Sequence, residues 1–249
     1  MGDYSNFDAG GAAGVLGSLS PSEADNRKFF EERFQPLATT EGAQTRCPWC
    51  LSRGKRVLDV VSSFTLLILL SPILLLVSLA IKADSRGPVL YRQWRTGLNG
   101  RRFPMYKFRT MRKDAEKLKE SLRALNAHGA DSIDFKIKND PRVTRVGRIL
   151  RRTSIDEFPN LLSVLRGDMS LVGPRPTSFD VDVYADWHLA RLAVPSGITG
   201  LWQISGRADV DFDERVKLDC RYIREQSLWL DIKIIVLTPF RVFSGRGAY

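Results

Sequence analysis

"VVSSFTLLILLSPILLLVSLAI", residues 60–81, decides how the rest of the chain is arranged. It runs 22 residues without a charge, long enough to cross the roughly 30 Å hydrocarbon layer of a bilayer as a helix. A single spanning helix is the plain reading. Two features pull against it. Ser71-Pro72 sits in the middle, where proline removes one backbone hydrogen bond and clashes with the preceding turn, kinking or breaking a helix. Positive charge also flanks both ends: Arg53, Lys55 and Arg56 before, Lys82, Arg86, Arg92 and Arg95 after. A spanning helix usually carries that charge on its cytoplasmic side only. A helix-break-helix hairpin, broken at Ser71 and Pro72 and entering and leaving by one face, accounts for both.

Upstream, residues 1–50 read as a disordered tail, because "NFDAGGAAGVLGSLSPSEAD" (residues 6–25) is too poor in large apolar groups to pack. A short amphipathic helix over 22–34 would present Phe29, Phe30 and Phe34. The tail lacks an apolar core of signal-peptide length, and "MGDYSN" misses the myristoylation pattern at Asn6. Three cysteines make no disulfide framework. Cys47 and Cys50 form one "CPWC" without the second pair a zinc ribbon needs, and low cysteine use fits a reducing compartment. Downstream, residues 85–249 read as one α+β domain. "GPVLYRQWRTG" and "RRFPMYKFRTM" look like two extended stretches joined at "GLNGR" (97–101). A charged helix is expected over 112–129, further helix from 212 to 243, and Gly/Pro-punctuated loops at 170–180 and 194–209. "IIVLTPF" is too short to span a bilayer, so it belongs at the interface or in the core.

The formal charge is +10, from 38 Lys and Arg against 28 Asp and Glu. That excess favours a polyanionic partner: nucleic acid, an anionic membrane or phosphorylated substrates. It concentrates around "RRTSIDEFPN", residues 151–160. Ser154 and Glu157 fit a capping box, with Asp156 favoured in the first turn of a helix. The surroundings suggest more than capping. Arg142, Arg145, Arg148 and Arg151 recur every third residue, the spacing of one helical face, and Arg152 adds to them. Arginines hold phosphate oxygens in bidentate fashion. Two carboxylates beside them can bind Mg²⁺ together with substrate phosphates, and one of the two can attack phosphorus to form an acyl phosphate. No P-loop and no dinucleotide fingerprint is present. His128 and His188 offer nothing toward a Ser-His-Asp arrangement, and His188 reads as a surface or packing residue.

These stretches together resemble the bacterial sugar transferases, the monotopic polyprenyl-phosphate hexose-1-phosphate transferases also called phosphoglycosyl transferases. The matching segments are residues 55–82, "MYKFRTM" (105–111), "DPRVTRVGRILRRTSIDEFPNLLSVLRGDMSLVGPRP" (140–176), "PSGITGLWQISGR" (195–207) and residues 230–249. The tail and "CPWC" have no counterpart, and "PSGITG" replaces the commoner "PGITG". The resemblance implies a mostly helical cytoplasmic catalytic domain with a short β element. A re-entrant membrane helix over 51–84 and interfacial amphipathic helices would anchor it to the cytoplasmic face of a bacterial inner membrane. It implies Asp156 as nucleophile, Glu157 as its partner on Mg²⁺, and Lys107 and Arg151 as catalytic cations. Arg175 matches a position for substrate phosphate, and Arg152 and Arg109 are further expected substrate contacts. Thr199, Gln203 and Arg207 lie in a Gly-rich loop that either lines the nucleotide or lipid pocket, as expected substrate contacts, or is turn chemistry alone. The implied reaction moves hexose-1-phosphate from a UDP-sugar donor to undecaprenyl phosphate, releasing UMP through a phospho-sugar aspartyl intermediate. The "GLWQISGR" loop and "GAY" end look like members acting on galactose or glucose. Membrane lipids are expected partners and nucleic acid is not, and a homo-oligomer stays open. The competing readings are a membrane-tethered basic binding protein and a scaffold subunit of a polysaccharide assembly complex.

Overall fold

The computed structural model describes residues 49–115, 117, 118, 121, 122, 137, 140–205 and 211–243. Apart from Trp49 and Cys50, the expected tail, with Cys47 and the helix over 22–34, lies outside them, as do Arg207 and most of the charged helix expected over 112–129.

Helix α1, Arg53–Asp84, contains the whole apolar stretch. Ser52 caps it by accepting the backbone N–H of Lys55. The expected break at Ser71-Pro72 does not interrupt it: helical structure continues across Pro72. The reason is local. Pro72 cannot donate to the carbonyl of Ile68, four residues back. The Ser71 hydroxyl takes that carbonyl instead, at 2.8 Å. The middle of α1 leaves Val61, Phe64, Leu69, Ile73, Leu76 and Leu79 exposed. It is the one helix among the described residues long and apolar enough to cross a membrane.

Both ends of α1 are fixed to the rest of the chain. Near its start, Lys55 Nζ meets Asp231 Oδ2 at 2.6 Å, and Asp59 Oδ1 accepts the N–H of Leu171 at 3.0 Å. Arg56 donates to the carbonyls of Val164 and Leu165. At its end, Ile81 is buried against Phe108 and Leu150. Asp84 accepts the N–H of Val146, and Arg109 donates to the carbonyl and hydroxyl of Ser85.

The strands are short, as the sequence suggests. β1, Leu90–Thr96, and β2, Arg102–Phe108, pair antiparallel. They turn at "GLNGR", where Asn99 and Gly100 take positive φ, the backbone region Asn and Gly tolerate best. Then comes α2, Arg145–Thr153, capped by the Thr144 hydroxyl on the N–H of Gly147. A Cβ on Gly147 would stand 2.1 Å from the carbonyl oxygen of Thr110, so only glycine lets α2 come this close to the end of β2. A 3₁₀ segment, Ile155–Asn160, leads into α3, Leu161–Arg166. β3, Ser170–Val172, pairs parallel with β4, Gly197–Thr199. Between them lies the 3₁₀ segment Asp186–Ala193. The chain closes with α4, Leu201–Ile204, α5, Phe212–Glu225, and α6, Leu228–Phe243. The single helical stretch expected over 212–243 is therefore two helices, parted at Gln226 and Ser227.

The main core joins β2, α3, β3, α5 and α6 through Met105, Val164, Val172, Tyr222 and Ile234, all nearly free of solvent. The α+β class, mostly helical with small sheets, holds. α6 buries Ile234 and Asp231 while its other side leaves Trp229, Ile232, Val236 and Phe240 exposed, Trp229 at 77%. Their spacing is that of one helical face.

Candidate active site

Asp156 and Glu157 sit on the 3₁₀ segment directly after α2, and the turn between the two elements is made by Ser154 at φ 55°. This differs from the expected capping box. The Ser154 side chain makes no capping bond, and Glu157 does not reach back to it. Its carboxylate turns instead to two cations. Lys107 Nζ, on β2, lies 2.8 Å from Oε1. Arg175 grips both oxygens, Nη1 to Oε2 at 3.0 Å and Nη2 to Oε1. Arg175 stands in the "GPRP" loop after β3. A Cβ on Gly173 would meet the carbonyl oxygen of Pro195 at 2.4 Å, so glycine is what lets this loop press onto the β3–β4 pair and present Arg175.

The two neighbouring carboxylates thereby become different chemical groups. Burial works to raise the Glu157 carboxyl, but Arg175 and then Lys107 outweigh it and hold it well below the usual carboxylate range. Asp156 has no such bonds. Among the described residues none donates a hydrogen bond to its carboxylate. Burial and the adjacent Glu157 charge push it up to about 6, against the pull of Lys107, Arg151 and Arg175. Arg175 is raised by Glu157, whereas burial lowers Lys107.

Arg151, the arginine of α2 that turns inward, donates its Nε to the Thr110 hydroxyl at 2.9 Å and feels the charge of Asp156. The shared arginine face expected from spacing does not form. Arg142 precedes α2 and is buried on Asp140, with Nη2 to Oδ2 at 2.6 Å and Nε on both oxygens. Arg145, Arg148 and Arg152 are exposed on α2, and Arg152 makes no hydrogen bond or ion pair with the dyad. Arg109 is likewise a structural clamp on the end of α1. Thr199 is buried, sharing a hydrogen bond with the Thr238 hydroxyl of α6 at 2.8 Å. Gln203 donates to the carbonyl of Ile198. His188 is a packing residue as expected: it accepts the N–H of Ala185 on Nδ1, so its proton is on Nε2, facing Asp213 at 2.9 Å.

Arg95 belongs to the site and was missed by motif reading. It is driven down to about 10 by burial and by the nearby Arg175 charge, with Glu157 opposing. Strand alternation held the clue. The register pairs Arg95 with Phe103 and Tyr91 with Lys107, so Arg95 and Lys107 share a face of the hairpin.

Four cations, Lys107, Arg95, Arg151 and Arg175, thus surround two carboxylates. The surplus of two positive charges in a half-buried site suits a dianion. For magnesium the fit is partial. The ion typically takes one or two protein carboxylates plus substrate phosphates. Glu157's oxygens are taken by Lys107 and Arg175, whereas Asp156 has both of its own available. Asp156 is therefore the freer magnesium ligand among the described residues, and Glu157, with three of its four acceptor positions filled, keeps one on Oε2.

An α+β domain held to an apolar helix by both of that helix's ends carries a split carboxylate dyad set among cations, an arrangement suited to anionic groups. The chain belongs to the bacterial sugar transferase family, whose sequence model matches residues 51–245. It is 47% identical over 197 residues to a galactosyl transferase CpsE from Streptococcus agalactiae serotype III, covering 78% of this chain and 43% of that protein. It is 44% identical over 198 residues to an undecaprenyl-phosphate galactose phosphotransferase from Salmonella typhimurium, covering 78% and 41%. It is 40% identical over 199 residues to the exopolysaccharide production protein ExoY from Rhizobium meliloti, covering 79% and 88%. The chain spans about two fifths of the length of the first two.

Proposed function

We propose that this chain transfers hexose-1-phosphate, of galactose or glucose, from a UDP-sugar to undecaprenyl phosphate in exopolysaccharide or capsule assembly, through a covalent intermediate on Asp156. The observation that carries the reading is the split dyad: Glu157 accepts three bonds from Lys107 and Arg175, while none of the described residues bonds the Asp156 carboxylate beside it, which burial and Glu157 push up to about 6. An Asp156 oxygen attacks the phosphorus that bears the sugar. The bond from that phosphorus to the bridging oxygen breaks, and UMP leaves with the electron pair. The phosphate oxygen of undecaprenyl phosphate then attacks the same phosphorus and expels the carboxylate, leaving the lipid-linked diphosphate sugar. Dividing the transfer avoids bringing two large anions together in one step. Lys107, Arg95, Arg151 and Arg175 offset the charge, and Glu157 keeps two of them aimed. Magnesium, when bound, would be held by Asp156 and the donor phosphates and would supply further charge neutralisation. UMP release from a panel of UDP-sugars, with trapping of labelled phospho-sugar on Asp156, tests the reading directly.

A pH dependence follows. Asp156 attacks only as carboxylate. The burst of UMP in the absence of acceptor, which excludes titration of the acceptor phosphate, is expected to fall as pH drops through about 6. Glu157, held far lower, stays ionised across that range. A burst unchanged between pH 5 and 7.5 would count against Asp156 as nucleophile.

Topology belongs to the same proposal. A straight α1 of 32 residues would measure about 48 Å. Yet Lys55 and Asp59 at one end, and Ile81 and Asp84 at the other, are bonded to or packed on a single domain. A spanning helix would put those residues on opposite sides of the bilayer. The apolar middle of α1 therefore dips into the membrane re-entrantly and both ends stay on the cytoplasmic face of the inner membrane, with the exposed stripe of α6 lying along the interface. Cysteines introduced at Arg53 and at Arg86 are both expected to react with an impermeant reagent from the cytoplasmic side only. Labelling of either from the other side would exclude the hairpin.

A further inference from the structure

Arg175 belongs to two neighbourhoods at once. It grips Glu157, and it also lines a cleft with Arg95, Arg191, Trp202, Phe212 and Arg215. The chemistry at Asp156 leaves most of this cleft unexplained. Its volume is about 130 Å³, against roughly 150 Å³ for an engineered cavity that accepts one benzene ring, so it has room for one six-membered ring. Its walls are guanidinium groups and flat aromatic faces. Arg215 stands 5.6 Å from the centre of the Trp202 ring, and Arg191 stands 5.4 Å from that of Phe212. Arg191 is fixed by Asp219 at 2.7 Å and by the carbonyl of Arg175, also at 2.7 Å, so this wall is rigid and tied to the catalytic loop.

The decisive atom is the indole Nε1 of Trp202, which is shielded from solvent and has no acceptor among the described residues. Buried donors are nearly always paired. An unpaired one in the wall of a cleft points to a ligand that brings the acceptor. A pyrimidine dione does so: it is one ring wide, stacks on aromatic and guanidinium planes, and offers carbonyl oxygens to an N–H.

We propose that this cleft seats the uracil of the donor, stacked at Trp202 and accepting its indole N–H, with Arg95 and Arg175 on the phosphate that departs as UMP. The inference rests on the transferase reading and adds where the nucleotide lies: on the Arg175 side of the dyad, away from Thr199 and Gln203.

The test compares UMP with ribose 5-phosphate, which keeps the sugar and phosphate but lacks the base, on the full chain in nanodiscs. Wild-type protein is expected to favour UMP by about tenfold or more, the scale of one stacked base. Trp202→Leu should bring that ratio close to one without changing the affinity for ribose 5-phosphate. Trp202→Phe, which keeps a stacking face and loses the N–H, should leave an intermediate ratio, and it carries the test alone if the leucine variant does not fold. Arg95→Gln should weaken both ligands alike. If protein that releases UMP from a UDP-sugar keeps its full preference for UMP in both Trp202 variants, the cleft is not the base site and the transferase reading stands. If wild type neither prefers UMP nor releases it from any UDP-sugar, both fall.

Discussion

Asp156→Asn is expected to lower sugar-phosphate transfer by about 10⁴-fold or more, the scale seen when a covalent nucleophile is removed, with folding and membrane association unchanged. The asparagine is isosteric and sits where no described residue bonds the side chain, so nothing structural is lost. A raised carboxyl disfavours the charged form, and removing it relieves strain rather than creating it. The neighbouring substitution should behave differently. Glu157→Gln takes one charge from between Lys107 and Arg175, whose bonds it now holds. It should lower both transfer and stability, because it leaves two half-buried cations repelling each other. Trapping experiments divide the roles further: labelled phospho-sugar should accumulate on Glu157→Gln protein slowly and on Asp156→Asn protein never. A membrane-tethered basic binding protein would need the arginines but no particular carboxylate. Transfer by Asp156→Asn protein at more than a few per cent of wild type would remove the covalent mechanism.

The legible parts of this chain were those fixed by local chemistry. The apolar run of α1, the "GLNGR" turn and the inventory of charged groups near residue 156 all follow from residues close in sequence. What escaped depends on contacts between distant segments. Lys107 and Arg175 are 68 positions apart and meet only because the β1–β2 hairpin and the "GPRP" loop both close on the 3₁₀ segment. The pattern S-x-x-E was real, but tertiary ion pairs took the Glu157 side chain from its capping role. Threefold spacing grouped Arg142 with Arg151, whereas Asp140, two residues before Arg142, folded that arginine back before the helix began. Ser71-Pro72 promised a kink or a break; helical structure runs on through it, with the serine hydroxyl on the Ile68 carbonyl that proline cannot serve. Arg109 and Thr199, expected at the substrate, also fasten helices, α1 in one case and α6 in the other, a use that no local pattern reveals.

The largest stability effect should come from Asp231, far from the dyad. Its carboxylate is fully buried and accepts three bonds: Lys55 at 2.6 Å, the Trp49 indole at 2.8 Å and the Tyr222 hydroxyl at 2.8 Å. Lys55 is 2% exposed. Three segments, the approach to α1, α5 and α6, therefore meet on one acid, and "CPWC" contributes through Trp49 and through Cys50, which packs beside Tyr222. Asp231→Ala strands the lysine charge in the core, a defect that costs about 3–5 kcal/mol. At roughly 2–4 °C per kcal/mol for a chain of this size, detergent-solubilised protein should melt some 6–20 °C lower. The pair's charges are costly to bury, so removing both is kinder than removing one: Lys55→Met with Asp231→Leu should recover most of the loss. The double substitution should also show what the pair does beyond stability. It holds the first turns of α1 on α6, and that attachment brings both ends of the apolar helix to the same domain. A single-substitution melting point within a degree of wild type would mean that water or a neighbouring acid already shields Lys55. The attachment of the first turns of α1 would then rest on Asp59 and Arg56.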